Sequence, residues 1–411
     1  MGLFSALNTA VSGMAAQASK LGTIGDNIAN SSTTGYKRAS TEFETLLGNS
    51  GSSDYSSGGV LTDVRYGVST QGTITSTTSS TDLAISGNGF FVGEDSSGAQ
   101  ALTRAGSFTK QSDGTLMNTA GYTLMGYQLP SGSTLQAINV GSTGLVASAS
   151  SSATLSVNLN SAADVVASGS LPSANTSAST YTYTQQMTAY DNLGTPITLD
   201  VYMTKSDTSG DYSVSVYNHS GAASSTSNFP YSSSALTTTS LAFNASTGNY
   251  SSGSPISVTI PNGNTLSIDM SKSTMLAAKS STTTSTIDGS APASLKSITV
   301  GSDGTVNQVY SNGVTKAAYQ VALANVTSPD LLTTISGDAY TTNSESGSIV
   351  LATPGSGGMG TIQSSSLEGS TVDLATELTD MISAQRGYEA NSKVLQTASD
   401  LLGTLNNIRV S

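Results

Sequence analysis

The chain has 411 residues and carries 26 acidic against 14 basic side chains, so its formal net charge is −12 at pH 7. Nucleic-acid binding requires a basic face and anionic membranes attract basic segments, so this balance argues against both kinds of partner. The sequence contains no cysteine, which excludes disulfides, thiol nucleophiles and cysteine-bound metals.

The first 30 residues carry a helical pattern of apolar side chains. Two rows with seven-residue spacing, offset by four positions, form the a/d stripe of a coiled-coil-like helix. Gln17 interrupts the first row, and small residues surround both rows. The predicted stripe consists of Leu3, Leu7, Ala10, Met14, Leu21, Ile24 and Ile28.

The middle of the chain alternates apolar and polar residues, which predicts short β-strands. Turn signals separate these segments, for example Asn192-Leu193-Gly194-Thr195-Pro196 and Pro261-Asn262-Gly263-Asn264. Many short strands at this spacing indicate a sandwich or a barrel-like β domain. The clearest alternating segments are 154–159, 197–203, 212–216, 256–260 and 266–270.

Changes in composition predict a nested arrangement of domains. Ser/Ala/Thr-rich stretches at 147–153 and 279–293 bound an inserted segment, and Gly/Ser-rich connectors at 54–59 and 354–360 flank the helical part. The predicted fold is mainly β with α-helical, coiled-coil-like termini. Its three parts are a helical polymerisation domain with its connector at 1–70 plus 365–411, a β domain at 71–150 plus 290–364, and an inserted variable β domain at 151–289.

The last forty residues repeat the helical pattern, and a helix is predicted from about 371 to 408. Thr371 is the predicted N-cap, and Asp373 and Glu377 lie near the positive end of the helix dipole. The main apolar row consists of Leu374, Met381, Tyr388, Leu395 and Leu402, and the companion row of Leu378, Ala384, Ala398 and Leu405.

Each terminus therefore presents a long helix with a narrow apolar seam. The two helices could pack only on each other within one chain, but a pair so rich in alanine and glycine would be marginally stable alone. We therefore expect neighbouring copies of the chain to complete the seams, which makes the seam residues the predicted assembly surface.

The sequence offers no recognisable catalytic constellation. Its single histidine, His219, lies in a polar segment where neither a Ser-His-Asp triad nor a zinc motif can be assembled. Gly87-Asn88-Gly89 precedes a strand pattern, whereas a phosphate loop precedes a helix. Paired carboxylates for glycoside hydrolysis stay open on sequence alone, and a secreted β-rich enzyme or adhesin is the alternative class. We predict no catalytic residue, no metal and no cofactor.

Four segments, taken together and in this order, resemble the bacterial flagellar axial proteins of rod and hook. The first carries the signature A-N-x-x-T-x-G-Y-K at Ala29, Asn30, Thr33, Gly35, Tyr36 and Lys37, although many members have Asn where Ser32 stands. The second is 82–91 with Gly87, Gly89, Phe90 and Phe91, and the third is 102–127. The fourth lies in the C-terminal helix and contains Gln385, Arg386 and Tyr388.

The resemblance implies a non-enzymatic subunit of an extracellular tube, exported by the flagellar type III apparatus. Within the family, the length and the large insertion favour a hook-forming subunit, and a distal rod subunit is the alternative. The implied partners are further copies of the chain, the distal rod, the hook cap and the hook–filament junction proteins. The implied role is a curved, flexible universal joint that links rod to filament and transmits motor torque, with the terminal helices as its inner wall.

Overall fold

A computed structural model describes residues 3–47, 57–141, 144–206, 210–223 and 228–410. The chain forms two compact units. The first comprises Met1–Gly141, Ser297–Gln308 and Lys316–Ser411, and the second comprises Ser142–Lys296 and Val309–Thr315. The chain is mainly β with one long helix at each end, which confirms the predicted fold class.

The helices are α1 (Leu3–Ala29) and α2 (Leu374–Val410). The strands that follow α1 are β1 (Ala39–Leu47), β2 (Ser57–Tyr66), β3 (Ile74–Ser76), β4 (Leu83–Ser86), β5 (Phe90–Glu94), β6 (Gln100–Thr103), β7 (Phe108–Lys110), β8 (Leu116–Asn118), β9 (Thr123–Gln128) and β10 (Leu135–Ala137). The central strands are β11 (Val146–Ser148), β12 (Ser152–Asn160), β13 (Tyr183–Tyr190), β14 (Pro196–Lys205), β15 (Asp211–Asn218), β16 (Thr237–Phe243), β17 (Tyr250–Ser252), β18 (Ile256–Thr259), β19 (Thr265–Asp269), β20 (Thr274–Leu276), β21 (Ser281–Ile287) and β22 (Ser290–Ala293). The last strands are β23 (Leu295–Val300), β24 (Thr305–Tyr310), β25 (Thr315–Val321), β26 (Leu323–Asn325), β27 (Thr333–Ile335), β28 (Ala339–Thr341), β29 (Val350–Ala352), β30 (Thr361–Ser364) and β31 (Ser366–Glu368), and short 3-10 turns lie at Ser168–Ser170, Pro172–Ala174, His219–Gly221 and Pro329–Leu331.

A thirteen-stranded sheet forms the core of the first unit, with the strand path β23-β24-β25-β9-β5-β6-β28-β27. The Phe90-Phe91 motif lies on β5, where Phe91 pairs with Thr103 of β6 on one side and with Leu323 of β26 on the other. Both phenylalanines are buried. The second and third family segments are therefore adjacent strands of one sheet.

The second unit is a β-sandwich. One sheet is the antiparallel series β13-β14-β15-β16-β17, and the other has the order β18-β19-β12-β20 with β21 also paired to β12. Their inner faces share one apolar core, to which β12 contributes Leu155, Val157 and Leu159. The five strand segments predicted for this region from alternation all fall on strands, namely β12, β14, β15, β18 and β19.

The outer face of β14 carries a polar cluster around Asp200, which is 1% exposed. Its carboxylate accepts hydrogen bonds from Gln186 (2.9 Å) and from the Tyr231 hydroxyl, and His219 Nδ1 lies 2.7 Å from it. The His219 side chain is 44% exposed, as expected for a surface histidine. It is nevertheless tied to a buried carboxylate, which the sequence did not indicate.

Two local predictions were wrong. The C-terminal helix begins at Leu374 rather than near Thr371, because Asp373 caps it by accepting the Thr376 N–H (2.8 Å), while Thr371 Oγ1 instead accepts the Arg38 N–H (2.8 Å). The predicted connector at 54–59 reaches into β2, which starts at Ser57, and its residues 54–56 lie outside the described part of the chain.

Candidate functional site: an assembly joint

The segment that leaves α1 is anchored by Asn27, a buried amide near the end of the helix. Its Nδ2 donates to the Ala39 carbonyl (2.8 Å), and its Oδ1 accepts the Ala39 N–H (2.9 Å) and the Tyr36 hydroxyl (3.2 Å). Burial raises the pKa of Tyr36 to about 12, so its hydroxyl stays a donor at neutral pH. These bonds fix the end of α1 to the start of β1.

Gly35 occupies a position that only glycine fits. Its φ of +76° lies in the left-handed region, and a Cβ there would lie 2.6 Å from the backbone nitrogen of Ala105. Its N–H donates to the carbonyl of Glu368, the last residue of β31, at 2.8 Å. The glycine of the first family motif therefore permits close contact between the two ends of the chain.

We expect Gly35→Ala to lower the free energy of unfolding by about 1–3 kcal/mol, because the added Cβ requires both a strained φ and displacement of the Ala105 backbone. Thermal unfolding followed by circular dichroism measures this change. Gly98→Ala is a matched control, since its φ is +86° and no atom lies within 4 Å of the added Cβ. An equal loss in both variants would contradict the close-packing explanation.

Three buried charged side chains, Lys37, Arg104 and Glu368, form what we call the charge cluster. Lys37 Nζ lies 2.5 Å from Glu368 Oε1, and Arg104 Nη1 lies 3.0 Å from Glu368 Oε2. Their side chains are 1%, 4% and 0% exposed, respectively. Burial lowers the pKa of Lys37, and the attraction of Glu368 opposes that shift. The ion pairs thus offset the cost of placing these charges in the interior.

Further bonds connect the charge cluster to the other family segments. Arg104 Nη2 donates to the carbonyl of Gly87 (2.8 Å), and its guanidinium carbon lies 5.3 Å from the ring centre of Phe90. Gly72 N–H donates to Glu368 Oε1 (2.8 Å). The first and third family segments therefore meet at the Glu368 carboxylate, and the second contacts Arg104 beside it. Five residues separate Glu368 from α2.

A second, more exposed ionic layer ties both helices together. Arg38 Nε lies 2.5 Å from Glu377 Oε1, and Arg38 Nη2 lies 3.2 Å from Asp380 Oδ2. Lys20 of α1 lies 3.8 Å from the same aspartate. The motif Lys37-Arg38 therefore serves two purposes, because Lys37 enters the charge cluster while Arg38 holds the first turns of α2.

The two helices pack along each other through small residues. A Cβ on Gly13 would lie 2.8 Å from the Asn391 side chain, and a Cβ on Gly387 would lie 3.0 Å from Gln17. Ala384 is 1% exposed at this contact. Gln17, which interrupts the predicted apolar row, therefore packs where a glycine of α2 leaves space for it.

The predicted seam residues differ in exposure. Ile24 is buried, whereas Leu374, Leu378 and Tyr388 are 48%, 52% and 42% exposed. Three further apolar residues of α2 are also exposed, although the predicted seam did not include them: Ile382, Val394 and Leu401. The side chains of Leu3 and Leu405 lie outside the described residues. The half-buried members are Leu7, Met14, Leu21, Ile28, Met381, Leu395 and Leu402.

The remaining motif residues fall into two groups. Asn30 and Thr33 close the turn after α1, because Asn30 Nδ2 donates to the Asp26 carbonyl (3.0 Å) and Thr33 Oγ1 donates to Asn30 Oδ1 (3.1 Å). Ala29, Gln385 and Arg386 are exposed and take no part in the charge cluster. The sequence missed Glu368, since nothing in Ser-Leu-Glu-Gly-Ser marks it as the partner of a lysine 331 positions earlier.

No group of three or more His, Asp or Glu side chains suited to a metal ion occurs in the described part of the chain. Among the described residues, neither helix is both long and apolar enough to cross a membrane.

Family models place the chain in the class of flagellar rod and hook axial proteins. They match a "Flagella basal body rod protein" model at 7–37, a "Flagellar hook protein FlgE/F/G D1 domain" at 84–148, a "Flagellar basal body protein FlaE D2 domain" at 158–290 and a "Flagellar basal body rod FlgEFG protein C-terminal" model at 363–408. The third of these matches lies in the insertion, where sequence reasoning found no resemblance.

Relatives with full-length similarity identify the particular family. The chain is 43% identical over 417 residues to a flagellar hook protein FlgE of Brucella suis and 40% identical over 434 residues to one of Rhizobium meliloti, with both chains covered completely. It is 30% identical to the Escherichia coli K12 protein over 98% of this chain and 100% of that one. A solved Helicobacter pylori flagellar hook protein FlgE2 superimposes with a TM-score of 0.48 at 14% identity, covering 70% of this chain and 99% of that chain.

The chain therefore belongs to the flagellar hook protein FlgE family. It is a structural subunit of the bacterial flagellar hook, an extracellular part of the flagellum.

Proposed function

We propose that this subunit polymerises through the apolar surface that its terminal helices leave uncovered. The observation that carries the proposal is the row of large apolar side chains on α2 that are 48–53% exposed, namely Leu374, Leu378 and Ile382. Such a row on a soluble subunit is typical of a protein interface. The seam residues predicted from the heptad pattern then form the interface between copies.

The charge cluster gives this interface a rigid base. Through ion pairs of 2.5–3.0 Å it joins Lys37, in the segment after α1, and Glu368, in the segment before α2, to Arg104, which follows β6. A tube that transmits torque requires that force on the helices reach the β region without a loose hinge. Buried, hydrogen-bonded ion pairs resist such movement because separating them leaves an unpaired buried charge.

The proposed domains are the helical polymerisation domain with its connector (1–70 plus 365–411), the β domain (71–150 plus 290–364) and the inserted domain (151–289). We assign the insertion to the outer surface of the tube. It is rich in Ser, Thr, Asn and Gly, so neighbouring copies would meet there through polar, hydrated contacts. Such contacts exchange partners through water at small cost, which suits a joint that bends on every revolution.

The further partners that we propose are the distal rod, the hook cap, the hook–filament junction proteins and the type III export apparatus. We also propose that the subunit has no catalytic activity. The helical surface supports these roles, because the rod and the junction proteins would have to continue the same packing at the two ends of the hook.

Excision of the insertion tests whether the helices alone form the tube and whether the insertion sets its curvature. The insertion starts and ends at neighbouring points, since Ser152 N–H donates to the Asp288 carboxylate (2.9 Å) and β11 pairs with β22. A variant that joins 150 to 290 through a short glycine linker should still form tubes, but the tubes should lose their native curvature in electron micrographs. Normally curved hooks and unimpaired swimming would overturn this assignment.

A further inference from the structure

A polar cavity of about 240 Å³ lies beside the charge cluster in the first unit. Its walls come from the end of α1, from the first family motif, from the end of β2 and from the β27–β28 hairpin. We call it the tyrosine cavity. The residues used in the argument are Asp26, Tyr36, Tyr66, Ile335, Asp338 and Tyr340.

The tyrosine cavity contains negative charge without a partner. Within the residues that the structure describes, neither Asp26 nor Asp338 forms an ion pair. Asp338 is held at the hairpin turn with φ +53°, and burial raises the pKa of its carboxyl. Lys37 also lines the cavity, but its ammonium is already bound to Glu368 and to the Thr70 carbonyl. The lining therefore carries the two carboxylates of Asp26 and Asp338 against the one ammonium of Lys37, which favours the entry of a further cation.

The aromatic walls favour one kind of cation. Tyr340 is 3% exposed, and its hydroxyl has no hydrogen-bond partner among the described residues. Tyr340, Asp338, Tyr36 and Tyr66 line the same cavity, and burial raises the pKa of Tyr340, with smaller contributions from the other three. Tyrosine rings together with carboxylates match a guanidinium, which stacks on aromatic faces and donates planar hydrogen bonds.

We propose that the tyrosine cavity receives Arg386 from a second copy of this chain. The inference rests on the proposed function, because polymerisation brings the two copies together. Of the arginine side chains that the structure describes, Arg38, Arg65 and Arg104 form ion pairs, whereas Arg386 forms none. Arg386 is exposed on α2, whose covered face carries Ala384 and Asn391 against α1.

Chemical crosslinking tests the contact directly, because the natural chain has no cysteine. Ile335→Cys places a thiol at the rim of the cavity, and Ser383→Cys places another one turn before Arg386 with little change in shape. We expect a short bis-maleimide to convert tubes of the double variant into a ladder of covalent oligomers. The control pairs Ile335→Cys with Ser399→Cys, an exposed residue farther along α2, and should give no ladder.

A second variant separates the contact from the stability of the subunit. Asp338→Asn keeps a residue that tolerates the left-handed backbone and removes a half-buried charge that has no ion-pair partner in the described chain, so the monomer should keep its melting temperature. The critical concentration for polymerisation should rise about tenfold or more, as expected when a hydrogen-bonded charge pair is lost.

Tubes that give no ladder, or an unchanged critical concentration for Asp338→Asn, would overturn the inference while leaving the proposed function intact. If the natural chain itself formed no tubes, both the proposed function and this inference would fail.

Discussion

Glu368→Gln is expected to lower the free energy of unfolding of the first unit by about 3–5 kcal/mol, which is typical of breaking a buried ion pair by removing one partner. The carboxylate is 0% exposed and serves both Lys37 and Arg104. Glutamine would leave both cations in the interior without a counter-charge. The unit also holds the start of α2, so hooks should become fewer or be lost.

Urea unfolding followed by circular dichroism measures the effect. Glu42→Gln is the matched control, since its ion pair with Arg65 has side chains that are 58% and 59% exposed and should contribute no more than about 1 kcal/mol. The double variant Glu368→Gln/Lys37→Met should lose less than the sum of the two single losses, because the two side chains interact. Simple additivity would show that the charge cluster does not act as one network.

Leu378→Asp is expected to abolish polymerisation while it changes the stability of the monomer by only about 0.5 kcal/mol. Leu378 is 52% exposed in the single chain, so the aspartate would remain in water before assembly. Within the proposed interface the same charge would be desolvated in every subunit, at a cost of several kcal/mol for each copy.

Sedimentation of concentrated protein and swimming in soft agar measure this loss of assembly. Leu193→Asp is the matched control, because Leu193 is a 76% exposed leucine in a turn of the second unit. It should leave both sedimentation and swimming close to those of the natural chain. Normal tubes from Leu378→Asp would show that this side of α2 is not an interface.

The sequence predicted the helices and strands well because each depends on the pattern of apolar residues within its own segment. Alternation of apolar and polar residues in 154–159 depends only on which face of a strand is buried, and β12 forms there. The extent of α1 follows in the same way from the heptad rows. The start of α2 was misplaced by about three residues because both Thr371 and Asp373 are acceptable caps, and the choice depends on the tertiary bond from Arg38 to Thr371.

The site was harder to predict because the residues that form it lie far apart in the sequence. The family motifs pointed to Lys37 and Gly87, but no local pattern joins them to Glu368. Conversely, the heptad rows selected Leu374 and Leu378 although α1 does not cover them. A heptad pattern records which side chains are apolar, and it does not tell whether the partner is the same chain or a neighbour.

The most direct test of the central claim, that the terminal helices carry assembly, is sedimentation of a chain that ends at residue 373. Removing α2 leaves the charge cluster intact, so circular dichroism should still show folded β structure with a cooperative melting transition. We predict that this truncated chain remains in the supernatant at concentrations where the full chain forms tubes. Tubes of the truncated chain would contradict the account.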